Sequence, residues 1–69
     1  MGRDGMAVFR EYLRSLPEEL LESVTEDYVW LAGLDLDDGD FRRRRECCRD
    51  EWARRGEPQH YHFAEDKVA

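Results

Sequence analysis

Apolar residues recur along this chain at three- and four-residue spacing, the signature of one-sided helices. From Met6 onward Phe9, Tyr12, Leu13 and Leu16 form one stripe, which predicts a first helix from about residue 4 or 6 to Ser15. Leu20, Leu21, Val24, Tyr28, Leu31 and Leu34 form a second, broader face that reaches Gly33 if the helix is unbroken. Val29 and Trp30 do not fit it: at about 100° per residue Trp30 points opposite Leu21. Either the helix restarts near Thr25, or the segment is apolar on two sides because it lies between neighbours. Ser23 and Thr25 are poor interior helix formers, which favours a break or kink. A third stripe is narrow, with Phe41, Cys48 and Trp52 within about 40° of one another, flanked by the stems of Arg45 and Arg55.

Boundary signals agree with these segments. Ser15 followed by Glu18 reads as a capping box, with Pro17 in the first turn and Glu18, Glu19 and Glu22 near the positive end of the helix dipole. Residues 35–40 have the composition of a loop whose last residue, Asp40, caps a helix from Phe41 to about Arg55. Gly56 is then the left-handed terminator, and Pro58 forbids continuation. Asp50 with Arg54 and Glu51 with Arg55 are ion pairs in the favourable order. From Gln59 the tail reads as a short extended segment or another helical turn, with Tyr61 and Phe63 folding back onto the core. The expected organisation is a lead-in over residues 1–5, a helical domain over 6–64 and a frayed end over 65–69. The fold class is all-α, a small bundle of three or four helices in which helices one and three pack on the middle segment.

Composition limits this domain more than it enlarges it. Of the 69 residues, 41% are hydrophobic and 41% charged, enough for one thin core. No apolar run approaches membrane-spanning length and no signal peptide is legible, so a cytoplasmic location is expected. Cys47 and Cys48 are adjacent, which is not the spacing of a disulfide framework. Charge is polarised: the net is −6, yet between Glu18 and Asp40 there are nine acids and no base, followed at once by Arg42, Arg43, Arg44 and Arg45.

Little of this supports catalysis or a resident cofactor. Cys47, Cys48, His60 and His62 are the soft-metal ligands of the chain, but adjacent helical cysteines diverge by about 100° and the histidines lack structural-zinc spacing. The window Asp35 to Glu46 faintly resembles a calcium-binding EF-hand loop, with Asp at positions one and three and Glu at twelve. It departs with glycine at the fifth place and arginines at the ninth to eleventh, so a loop capping helix three is the better account. Four consecutive arginines point in four directions on an acidic chain, which favours pairing with helix-two acids over binding nucleic acid directly. A pair such as Asp37 and Asp40 has nothing to desolvate it, and no nucleophile stands beside a base; no enzyme is expected. A small core needs its large aromatics, which favours a buried Trp30; an unbroken helix would make it an exposed interface anchor instead.

The functional expectation is a non-enzymatic protein-binding module acting through an acidic helical face, as an inhibitor that mimics nucleic acid towards a basic nucleic-acid-binding protein. Glu19, Glu22, Glu26, Asp27, Trp30, Asp37 and Asp38 are its candidate partner-binding residues. A helical homodimer with a regulatory or structural role and a metal-dependent binding protein are the alternatives.

Overall fold

A computed structural model describes residues 5–34 and 39–68. Four helices follow one another: α1 (Ala7–Ser15), α2 (Glu18–Gly33), α3 (Gly39–Arg54) and α4 (Gln59–Val68). The chain is a small all-α, four-helix, single-domain bundle.

The α1–α2 junction is shaped by Pro17. Leu16 is extended, as a residue before proline must be, and Pro17 itself is extended at ψ 162° while its carbonyl accepts from the Leu21 N–H at 3.0 Å. Pro17 therefore occupies the N-cap rather than the first turn. The expected capping box does not form, because the Ser15 hydroxyl donates backward to the Tyr12 carbonyl at 2.7 Å, within the last turn of α1.

Contrary to the expected break at Thr25, α2 is continuous. The Thr25 hydroxyl donates to the Leu21 carbonyl at 2.6 Å and accepts the indole N–H of Trp52 at 3.0 Å. Both polar groups are thereby satisfied inside the fold. A residue expected to interrupt the helix instead ties it to α3.

Helix α3 begins earlier than expected, so Asp40 lies in its first turn instead of capping it. The EF-hand likeness fails for the same reason: everything from its fifth position onward is helix. At the other end Gly56 adopts φ +79°. Its N–H reaches the Ala53 carbonyl at 3.0 Å and the Glu57 N–H reaches the Trp52 carbonyl at 2.9 Å, the paired bonds of a Schellman motif.

The tail is a full helix rather than an extended strand or single turn. It continues past Asp66 to Val68, and Lys67 reaches Glu26 of α2 at 3.1 Å, so the end expected to fray is engaged. Tyr61 folds back into the core, whereas Phe63 is 57% exposed.

Leu13, Leu21, Cys47, Cys48, Trp52 and Tyr61 make up the core. Cys47 thus joins Cys48 inside, although it was expected at the boundary. Helix α2 packs against α3 and α4, while α1 lies chiefly on α3 and not, as expected, on the middle segment. Arg55 secures that arrangement: its guanidinium donates to the carbonyls of Leu13 (3.0 Å) and Leu16 (2.8 Å) at the end of α1 and to Glu51 at 2.7 Å. Arg54 also bonds Glu51, so the expected Asp50–Arg54 pair is replaced, and Asp50 lies 3.8 Å from Arg49. Within the arginine run, Arg43 pairs with Asp40 at 3.7 Å and Arg44 stacks over Phe9 and Tyr28 at 5.6 and 5.9 Å. Among the described residues, no guanidinium of the run pairs with a carboxylate on α2, so the expected compensation comes from elsewhere.

The bundle is only 16 Å thick in its shortest Cα dimension. Helix axes pack 8–10 Å apart, so this thickness holds about two layers. Every helix keeps one side in water.

Candidate partner-binding face

The outward side of α2 is where the sequence-expected residues meet. Glu19, Glu22, Glu26, Asp27 and Trp30 fall within about 140° of arc on the helix, opposite the buried Leu21 and Thr25. Asp37 and Asp38 lie outside the described residues.

Trp30 is 54% exposed, which corrects the expectation of a tryptophan held between helices. Among the described residues no helix covers the indole on that side of α2, and Trp52 fills the core instead. Val29, its sequence neighbour, turns inward and packs against the core.

Open grooves flank the indole on both sides. One, of about 370 Å³, is lined by Tyr12, Val24, Asp27, Tyr28 and Leu31 as well as Trp30. The other, of about 400 Å³, runs along Val29, Gly33 and Leu34 to Glu65 and Val68 of α4. Tyr12 and Leu34 are exposed there too. The result is an apolar ridge and its two grooves, edged by carboxylates.

Not all of the acidic charge is available. Glu26 is paired with Lys67, and Glu22 lies 3.4 Å from Nδ1 of His60. Glu19 and Asp27 are exposed and form no ion pair among the described residues. Compensation therefore comes from α4, a helix that the sequence pattern left undecided.

The soft-metal candidates are not drawn into one group. Cys47 and Cys48 are buried free thiols; burial pushes the Cys48 thiol up to about 12, with Cys47 adding to the rise and a hydrogen bond with Thr25 opposing it. His62 sits on the surface, 3.3 Å from Glu65. A different set converges instead: ligand atoms of Glu18, Glu57 and His60 all lie within 4.8 Å of one another. A hydrogen bond to Glu57, then that residue's charge, raises the Glu18 carboxyl above its ordinary value, and His60 and Arg55 act the other way. Sequence reasoning missed this cluster because Glu18 is remote in the chain from the other two, and only the packing of α4 on α2 unites them.

Among the described residues the fold shows no typical catalytic architecture, and no helix is long and apolar enough to cross a membrane. No family model, curated protein or solved structure matches the chain. Function must be read from these residues themselves.

Proposed function

We propose that this protein is a non-enzymatic binding module that docks Trp30 and the acidic side of α2 onto a basic protein, occupying a surface that the partner otherwise offers to nucleic acid. The exposure of Trp30 between two open apolar grooves carries this reading. A large indole that the core does not use is a typical interface anchor. Net charge of −6, with the exposed Glu19 and Asp27, which form no ion pair among the described residues, supplies the complementarity that steers such a chain to a basic surface.

Self-association through the same ridge is the competing reading, and it is favoured by the apolar character of Tyr12, Trp30 and Leu34. A two-fold contact would set the acidic sides of two α2 helices face to face, which like-charge repulsion opposes.

The test is capture of basic nucleic-acid-binding proteins from host extract on the immobilised protein. Retention is expected to fall steeply with salt, to be lost on adding duplex DNA, and to weaken by about 30-fold (roughly 2 kcal/mol) in Trp30→Ala. Glu19→Lys with Asp27→Lys should abolish it. Retention indifferent to all four manipulations would refute the reading. A species of twice the monomer mass in sedimentation, lost in Trp30→Ala, would replace it with a homodimer.

A further inference from the structure

Two segments distant in sequence bring metal-ligating atoms together beside Glu22 of α2. Glu18 comes from the first turn of α2, Glu57 from the turn held by Gly56, and His60 from the start of α4. Their ligand atoms lie within 4.8 Å of one another.

The imidazole is held in a fixed pose. It lies flat on Trp52, with centroids 4.6 Å apart and planes 13° from parallel, and Phe63 closes on its edge at 5.8 Å. Nδ1 is 3.4 Å from a Glu22 oxygen and Nε2 is 3.8 Å from a Glu57 oxygen. Nδ1 thus faces Glu22 and Nε2 faces Glu57, and the tautomer that carries its proton on Nδ1 leaves the Nε2 lone pair for a ligand. An imidazole oriented from behind by a carboxylate is the usual arrangement of a metal-bound histidine.

Among the described residues, the two cations on neighbouring segments are engaged elsewhere. The nearby Arg55 is committed to Glu51 and to the Leu13 and Leu16 carbonyls, and Lys67 to Glu26. Two carboxyl groups and an imidazole nitrogen thus converge at one place.

We infer that Glu18, Glu57 and His60 form a site for a divalent transition cation of the Zn²⁺ type, bound through His60 Nε2 and one carboxylate oxygen of each glutamate, with Glu22 orienting the ring. One imidazole and two carboxylates form a mixed set that suits Zn²⁺ better than Mg²⁺ or Ca²⁺, which prefer oxygen alone. Water completes the coordination. The ion staples the N-terminus of α2 to the α3–α4 turn, so its binding stabilises the fold while leaving Trp30 itself uncovered.

ZnCl₂ titration of the full chain, followed by thermal melting and by nitrogen NMR of the histidine rings, provides the test. Saturable one-to-one binding should raise Tm and shift His60 Nε2 while Nδ1 stays protonated; MgCl₂ should do neither. Glu18→Gln and Glu57→Gln each should abolish the response while leaving the far-ultraviolet circular dichroism intact. Glu22→Ala should weaken binding by about 10- to 100-fold. Binding that persists in both glutamine variants, binding that instead disappears in His62→Ala or Cys47→Ser, or the absence of saturable binding would each overturn the proposal.

Discussion

Trp52 and Thr25, both fully buried, are joined by a 3.0 Å hydrogen bond from the indole N–H to the threonine hydroxyl, the polar link between α3 and an unbroken α2. An indole donor left buried without an acceptor costs about 1–3 kcal/mol. Thr25→Val keeps the shape and removes the acceptor, so urea denaturation should show a loss of about 2 kcal/mol. Thr25→Ser keeps the oxygen and gives up one methyl, a loss of about 1 kcal/mol. Equal losses in the two variants would assign the role of Thr25 to packing alone.

Glu51 is buried at the meeting of α3 and the end of α1, where its oxygens accept from Arg54 and Arg55 at 2.7–3.0 Å. The hydrogen bond from Arg54, joined by that from Arg55, holds its carboxyl below the usual carboxylate range against the opposing effect of burial. Depression of the folded-state value means that the unfolded chain takes up the proton first as pH falls. The stabilisation is complete above the ordinary carboxylate pKa and is lost as pH falls through the folded value. Glu51→Gln should therefore be less stable than the parent by about 2 kcal/mol at neutral pH. That gap should close below about pH 4. A gap of constant size in denaturation series across this range would contradict the assignment.

The two tryptophans occupy opposite environments, Trp52 fully buried and Trp30 half exposed. Acrylamide should quench one component of the emission strongly and spare the other. In Trp30→Phe the quenchable, red-shifted component should vanish while stability changes by no more than about 0.5 kcal/mol, as for a surface site. Loss of the protected component instead would place Trp30 in the core.

Burial raises the Cys48 thiol to about 12, so almost none of it is thiolate near neutral pH. In Cys47→Ser, the remaining thiol should be inert to a disulfide reagent in the native state and react fully once the chain is unfolded. Rapid native-state labelling would show that α3 opens locally around Cys48.

Much of the bundle was legible because helices are local. The stripe from Phe9 to Leu16, the stop at Gly56 and Pro58, and the core position of Trp52 all follow from spacing and backbone preference. Errors arose where a residue's partner was distant. Thr25 is a poor interior former until the Trp52 indole claims its hydroxyl, and Ser15 looks like a cap until its hydroxyl turns back to Tyr12. The segment from Gln59 has no clear stripe, yet it forms a helix packed against α2 and α3.

The amino-acid sequence alone determined an acidic, all-helical domain with a polarised charge pattern, because helix periodicity and charge are properties of neighbouring residues. It also placed Trp30 opposite Leu21 on any continuous helix, since that is arithmetic on 3.6 residues per turn. Whether that direction led into a second layer or into water was a question of thickness, and only the two-layer packing answered it. The same packing chose which acids of α2 are neutralised, by bringing His60 to Glu22 and Lys67 to Glu26, and left Glu19 and Asp27 facing solvent. Charge compensation depends on distances across the fold, and those are set by how helices stack, not by the order of residues along them.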